Sequence, residues 1–341
     1  MKRLGRVYEK IISKDNLRVA LHNACKGKSS YATVRYIKKH VDEHIEDLHE
    51  LLKSESYTVA EYRQKKIYEP KERLISILPL YPDRIIQHAI MNVIEDYWDS
   101  LMISDSYSCR VGKGQHVGSI KCMEHCRKYA YVLKCDISKF YPSLDHQIIK
   151  AIVRRKIKDT KLTNLIDTIV DSYGDGKGVP IGSYLSQWIG NLYMNDLDIY
   201  VKHTLKCKAY IRYCDDFVIF SNSKEELKKI QGSVVSFCES LNLRMSKCDY
   251  FPTTQGVDFL GYRHFPNGKI LLRKRTAKRF KRNVKRLEAM LQDNNIPLDS
   301  ARSKVASMKG WLCHANTYNF SNSLKLNNLM DTINERLSEE S

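Results

Sequence analysis

Apolar residues recur every three to four positions through the first sixty residues, most clearly in YATVRYIKKHVDEHIEDLHELLKSESY, with charges between them. That period predicts a lead-in of amphipathic helices. From Glu69 to Leu78 the pattern shortens to alternation, and after Pro82 it lengthens again through DRIIQHAIMNVIEDYWDSL. A strand pair followed by a long helix is expected. Tyr131 to Cys135 reads as a buried strand with Asp136 at its end, and helical spacing resumes after Asp145.

Gly174 to Pro180, GDGKGVP, reads as a loop, and SYLSQWIGNLYMNDLDIYVKHTL beyond it as an apolar-rich helix. AYIRYCDDFVIFS holds two short β-prone runs, one ending at Tyr213 and one starting at Phe217, which is a hairpin pattern. The helix KEELKKIQGSVVSFCESLNL follows, then a short strand from Gly256 to Tyr262, and from Lys269 onward the chain becomes basic and helical. No internal repeat or low-complexity segment interrupts this order. Strands interspersed with helices predict an α+β architecture rather than a doubly wound sheet.

A chain of 341 residues with 43% hydrophobic and 10% aromatic content can bury a sizeable core, and its length calls for two or three subdomains. Lys and Arg total 57 against 39 Asp and Glu, a net charge of +18. Such an excess favours a polyanionic partner, with nucleic acid ahead of an acidic membrane surface. No run of 18 apolar residues occurs, and the start, MKRLGRVYEKIISKDN, has no apolar segment before a cleavage site, so a cytosolic chain without membrane attachment is expected. The ten scattered cysteines are then reduced thiols. Cys122, His125 and Cys126 put two thiols on one helical face, but no second pair follows, and they read as helix residues rather than a zinc site.

The acidic residues carry the candidate chemistry. Transfer of a nucleotidyl group needs a hydroxyl activated toward a phosphate while pyrophosphate leaves in line, and divalent ions stabilise both oxygens. Asp136 ends one expected strand, and Asp215 and Asp216 occupy the bend of an expected hairpin. If those strands adjoin in one antiparallel sheet, three carboxylates meet at its edge in an oxygen-rich site suited to Mg²⁺. Paired aspartates are also common in plain turns. The apolar strands enclosing this pair, and a third aspartate on a separate strand, favour the chemical reading.

These segments resemble the reverse transcriptases, from about Lys65 to about His314: YCDD is similar to their Tyr-x-Asp-Asp box, and CDISKFYPSLDH to the motif bearing their first metal aspartate. The resemblance implies a right-hand fold of fingers, palm and thumb. It divides the chain into a helical extension (1–60), fingers (61–130), palm (131–150), a connection (151–178), more palm (179–262) and a basic helical thumb with tail (263–341). It implies two Mg²⁺ ions, or Mn²⁺, held by Asp136, Ile137, Asp215 and Asp216, with deoxynucleoside triphosphates as substrates. Lys71 and Arg73 resemble the basic residues that grip the triphosphate, a task suited to Arg's fork and Lys's point charge. Ile137 and Tyr141 border the nucleotide by the same match, Tyr141 as the bulky residue that excludes ribonucleotides. Lys247 resembles the lysine that protonates the leaving pyrophosphate. Phe259, Leu260 and Gly261 resemble the primer grip. Arg273, Lys274, Arg275, Lys278, Arg279 and Arg282 resemble a thumb helix that tracks a duplex backbone, its packed face formed by Leu271, Leu272, Phe280, Val284 and Leu287, and KGWLCHANTY is similar to a further thumb segment.

The subtype rests on Gly178 to Asp198. Retroviral and group II intron enzymes place Pro-Gln-Gly where this chain has Pro180-Ile181-Gly182, followed by Ser186-Gln187. That form resembles the diversity-generating retroelement reverse transcriptases and implies that Ile181, Gly182 and Gln187 face the nucleotide. An apolar side chain in place of a hydrogen-bonding one loosens control of base-pair geometry, implying misincorporation opposite template adenines. The same resemblance implies a template RNA, a cDNA primer and product, and a small basic oligomeric partner, the accessory variability determinant. No integrase, RNase H, maturase or endonuclease segment is expected after the thumb. A phage-defence or retron-type enzyme is the competing reading, and a catalytically silent RNA-binding scaffold is the reading from another class.

Overall fold

The computed structural model describes residues 2–68 and 72–339. Its elements begin with helices α1 (Tyr8–Ile12), α2 (Lys14–Cys25), α3 (Ala32–Lys39) and α4 (Val41–Lys53), strands β1 (Arg63–Ile67) and β2 (Arg73–Ile77), and helices α5 (Ile85–Leu101) and α6 (Gln115–Lys128). Strand β3 (Tyr131–Ile137) leads to α7 (Phe140–Ser143), α8 (His146–Lys156), α9 (Thr160–Asp171) and α10 (Tyr184–Ile199). There follow β4 (Tyr210–Tyr213), β5 (Asp216–Ser221), α11 (Lys224–Ser240), β6 (Met245–Pro252), β7 (Val257–Phe259), β8 (Tyr262–His264) and β9 (Ile270–Leu272). Helices α12 (Lys274–Gln292), α13 (Leu298–Cys313), α14 (Tyr318–Ser323) and α15 (Leu326–Glu339) end the description. The α+β expectation holds: the strands form sheets ordered β1-β2, β4-β5-β3-β6 and β7-β8-β9, and the pairs β1–β2, β4–β5, β7–β8 and β8–β9 are antiparallel.

The chain folds as two compact units. The first takes in residues up to Arg110, then Cys135–Lys206 and Gly232–Cys248; the second holds Val111–Lys134, Cys207–Gln231 and the chain from Asp249 onward. Three elements, β3, α11 and β6, begin in one unit and end in the other.

In the first unit, α2 buries Leu17, Ala20, Leu21, Ala24 and Cys25 at helical spacing, and α5, which it contacts, buries Ile86, Ala89, Ile90, Ile94 and Trp98. Each fully buried Leu or Ile contributes roughly 1.5–3 kcal/mol. Helix α10 packs on α5 and α8 and is buried nearly all round, which is why its apolar residues show no single stripe. The helix starts follow from capping side chains. Asp145 accepts from the amides of Gln147 and Ile148 at 2.9 and 3.2 Å, and Ser183 from that of Ser186 at 3.3 Å. Asp159 caps α9 and also accepts from the amides of Val7 and Tyr8, tying α1 to it.

In the second unit, β4 and β5 pair in the register Tyr210↔Ile219 to Tyr213↔Asp216. Phe280, Val284, Leu287 and Leu291 of α12 pack in one apolar cluster with Val305, Met308, Leu312, Leu326 and Ile333. Among the described residues no helix is long and apolar enough to cross a membrane.

Four expectations need correction. Asp136 is the penultimate residue of β3 rather than its end, because the strand continues through buried Ile137. The segment from Gly256 to Tyr262 is not one strand: Leu260 and Gly261 have φ of 52° and 86°, so the chain reverses between β7 and β8. Leu271 and Leu272 belong to β9 rather than to the basic helix, and Leu271 is exposed. Asp216 is not in the bend with Asp215 but opens β5, which starts one residue before Phe217 because Asp216 pairs with Tyr213; helix α9 is a further element for which the sequence reading has no counterpart.

Candidate active site

Cys214 and Asp215 form the two-residue loop between β4 and β5, with Cys214 in the left-handed region at φ 54°. The geometry is unusual for a side-chain-bearing residue and is held from below. Arg212, fully buried on β4, donates Nη1 to the carbonyl of Cys214 at 3.0 Å and so fixes the loop carrying Asp215. Asp216 opens β5 with its Oδ1 3.4 Å from Lys134 Nζ, and Lys134 also donates to the carbonyl of Asp258. The second unit thus presents an aspartate pair on a braced hairpin, one member beside a cation of the same unit.

In the first unit, Ser246 on β6 hydrogen-bonds the carboxylate of Asp136, and its Oγ lies 3.1 Å from the main-chain oxygen of Asp136. One oxygen of that carboxylate is therefore oriented, and both of its oxygens belong to a hard donor set that suits a divalent cation. Lys247, the next residue, is exposed, while Ile137 is 2% exposed and can offer a ligand only through its main-chain oxygen. Past Lys139, Tyr141 sits on α7 with its carbonyl accepting from Val179 N at 3.0 Å. A Cβ on Gly190 of α10 would meet the Phe140 and Tyr141 rings at 3.1 and 3.3 Å, so the absent side chain gives both rings their place.

A cavity of about 350 Å³ opens in the first unit between β2, α5 and the start of α10, with Ile75, Gln87, His88, Gly182, Ser183 and Gln187 in its wall. Gly182 has φ 103°, and a Cβ there would stand 3.3 Å from Ile75. Ile181 is half-buried beside it. Gln187 accepts from the Cys109 thiol at 3.3 Å. Gln87 is 2% exposed; its Oε1 accepts from Ser183 Oγ at 2.8 Å, while its Nε2 has no partner among the described residues. Burial, reinforced by Arg84 and Lys28, lowers His88 to about 4, which keeps that imidazole neutral beside Arg84 in the same wall. Arg73 opens β2 with an exposed side chain, and Lys71 lies outside the described residues.

In the second unit, Phe259 is fully buried, and Leu260 and Gly261 form the tip of the β7–β8 hairpin. Gln115 Nε2 donates to the Leu260 carbonyl at 2.9 Å, and a Cβ on Gly261 would fall 2.7 Å from the Trp311 ring. Tyr262 donates to the Trp311 carbonyl, so His116 Nε2 donates to Tyr262. His264 Nδ1 donates to the Val257 carbonyl at 3.0 Å, which leaves its Nε2 to accept from Ser119 Oγ at 2.7 Å; that hydroxyl accepts from His314 Nε2 at 2.8 Å. Burial pushes His264 down to about 4, so it is neutral. On α12, Lys274, Arg275, Lys278 and Arg282 are exposed and Arg279 is half-buried; Arg273 turns inward, its Nε 4.0 Å from Asp258.

Each unit therefore collects part of the expected set: Asp136, Tyr141, Gly182, Gln187 and Lys247 in the first, the aspartate pair, the hairpin tip and the basic helix in the second. Among the described residues no group of three or more His, Cys, Asp or Glu stands in ligating position, and Cys122 and Cys126 are buried residues of α6. Arg212, Ser246 and Gln87 escaped sequence reasoning. Gln87 had a signal, a polar residue inside the apolar run Ile85 to Ile90, where a buried polar group is the informative exception.

A family model described as reverse transcriptase (RNA-dependent DNA polymerase) matches residues 63–264. Protein YkfC of Escherichia coli (strain K12) is 26% identical over 300 residues, covering 73% of this chain and 74% of that protein. Group II intron-encoded protein LtrA of Lactococcus lactis subsp. cremoris is 22% identical over 170 residues, covering 47% of this chain but only 28% of LtrA. Among solved structures, apo telomerase from Candida Tropicalis truncated from its C-terminal domain is similar with a TM-score of 0.48 at 13% identity, covering 65% of this chain and 58% of that one.

Proposed function

Since the chain belongs to the reverse transcriptase family and is thereby an RNA-directed DNA polymerase that uses deoxynucleotides and a divalent metal, we propose that it makes error-prone cDNA from a retroelement's template RNA, for diversification of a target gene. One observation carries the reading. Where a polar Gln would stand in the intron and retroviral enzymes, this chain has Ile181, next to a glycine that lines, with Ile75, a cavity of about 350 Å³. An aliphatic surface there fills space without testing hydrogen-bond geometry, so mispairs are rejected less strongly.

Asp136, Asp215 and Asp216, with the main-chain oxygen of Ile137, hold two Mg²⁺ ions in this reading. When bound, the metals supply the charge that activates the 3'-hydroxyl and stabilises the departing pyrophosphate. Arg73 and Lys71 bind the triphosphate, Tyr141 excludes the 2'-hydroxyl, and Lys247 gives a proton to the pyrophosphate. Leu260 and Gly261 seat the primer end, and Lys274, Arg275, Lys278, Arg279 and Arg282 follow the phosphates of the duplex, with Arg273 anchoring the start of their helix. In this arrangement residues 61–130 act as fingers, 131–150 and 179–262 as palm with 151–178 joining them, and 263–341 as thumb. The helical extension of residues 1–60 contacts the template RNA and a small basic oligomeric accessory protein.

The test is DNA synthesis on a primed RNA template with Mg²⁺, comparing the wild type with Asp215→Ala/Asp216→Ala and sequencing the products. Synthesis that the double substitution abolishes, with errors concentrated opposite adenine, supports the reading. Accurate products would place the chain with retron, defence or intron-type enzymes instead. If neither protein makes DNA even with the native RNA and the accessory protein, the chain is a silent scaffold.

A further inference from the structure

Cys135 on β3 and Cys248 on β6 hold their sulfurs 3.0 Å apart within the first unit. Among the described residues no disulfide joins any of the ten cysteines. Cys135 is fully buried and Cys248 half-buried, so a small oxidant reaches Cys248 first. The next residue after Cys135 is Asp136, and the residue before Cys248 is Lys247. Ser246, two positions before Cys248, holds the Asp136 carboxylate.

We propose that Cys135 and Cys248 form a peroxide-sensitive dithiol whose oxidation bonds the strand of Asp136 to the strand of Lys247. The step needs one equivalent of hydrogen peroxide. The sulfur of Cys248 attacks one peroxide oxygen; the O–O bond breaks, the sulfur is oxidised to a sulfenic acid, and the departing hydroxide takes the proton of the Cys248 thiol and leaves as water. The sulfur of Cys135 then attacks the sulfenic sulfur; the S–S bond forms, the S–OH bond breaks, and the hydroxide departs as water with the proton of the Cys135 thiol. Two thiols and one peroxide become one disulfide and two waters. A disulfide needs its sulfurs near 2.04 Å, so closing from 3.0 Å draws the two sulfurs about 1 Å together and pulls on the strands that carry them. A displacement on that scale beside reacting groups lowers a rate by as much as about a hundredfold.

The formation of the bond does not depend on the polymerase reading, but its effect on synthesis does. The full chain, reduced and freed of thiol, is treated with one equivalent of hydrogen peroxide, blocked with N-ethylmaleimide and digested without reduction. A peptide pair joining Cys135 to Cys248, abolished by dithiothreitol and absent from Cys248→Ser, is expected. Recovery of both residues as maleimide adducts, while exposed Cys313 is oxidised, overturns the proposal. Primer extension on RNA should fall at least about tenfold on oxidation, return with dithiothreitol, and resist peroxide in Cys248→Ser. Equal loss in Cys248→Ser would assign the effect to another residue and overturn the regulatory part. A linkage that forms in a chain with no synthesis under any condition would leave the dithiol standing and sink the polymerase reading alone.

Discussion

Ser246 holds Asp136 from the neighbouring strand, its hydroxyl on the carboxylate and 3.1 Å from the main-chain oxygen of the same residue. A hydrogen bond to a charged carboxylate contributes roughly 1.5–3 kcal/mol when fully formed, and exposure at this site brings that toward the low end. Ser246→Ala should therefore lower primer extension about tenfold, with little change in melting temperature because the serine is exposed. Unchanged extension would separate Ser246 from the chemistry.

Among the described residues, Gln87 combines one satisfied and one unsatisfied polar group in the same buried amide. Replacing it with Leu removes a neutral hydrogen bond and an unpartnered donor together, so stability should stay within about 1 kcal/mol of wild type. If the amide donates to a base in the cavity, KM for the incoming nucleotide rises about tenfold, the equivalent of about 1.4 kcal/mol. Steady-state kinetics beside thermal melting decide the matter: a normal KM with a large fall in melting temperature would make Gln87 a folding residue.

His264 is lowered to about 4 chiefly by burial, with His314 and Arg273 adding to the effect. The unfolded chain binds its proton near 6.5 while the folded chain does not, so this contribution is complete above pH 6.5 and is lost as pH falls toward 4. The difference amounts to about 3 kcal/mol over the whole window. His88, lowered in the same way but more exposed, adds a smaller effect of the same sign. Unfolding free energies at pH 6.5 and 5 should differ, and His264→Phe should flatten the slope by up to about 1.4 kcal/mol per pH unit. An identical slope in both proteins would mean that His264 is protonated in the fold.

Lys274, Arg275, Lys278 and Arg282 stand on the exposed side of α12 while Phe280, Val284, Leu287 and Leu291 face the apolar cluster. Each phosphate contact adds nearly one unit to the slope of log affinity against log salt. Replacing all four with Gln should reduce that slope by about 3.6 in titrations of a primed template, with binding weakened evenly across sequences. A preserved slope would move the nucleic-acid track elsewhere.

How much of this was legible follows from which physical signals are local. The hairpin around Asp215 was readable because β-branched and aromatic residues flank a two-residue break, and the basic helix because its charges and apolar residues alternate with a helical period. The aspartates were found by type and setting. Leu260 was misread because a leucine in the left-handed region contradicts local preference, and the Gln115 hydrogen bond and the Trp311 ring against Gly261 that accompany the reversal are distant in sequence. Arg212 reads as a surface charge in any local window, yet it is fully buried with its guanidinium on the Cys214 carbonyl. Ser246 and Cys248 acquire meaning only from a strand more than a hundred positions earlier.

The shared elements β3, α11 and β6 bear on how this protein can be altered by recombination. Each unit is three pieces of sequence, and three of the five boundaries fall inside regular elements rather than in loops. No single crossover between related genes exchanges one unit whole, and no pair of truncations isolates one as a cassette. Exchange across this chain is expected to favour swaps of loops and side chains on a retained frame over the transplantation of either half.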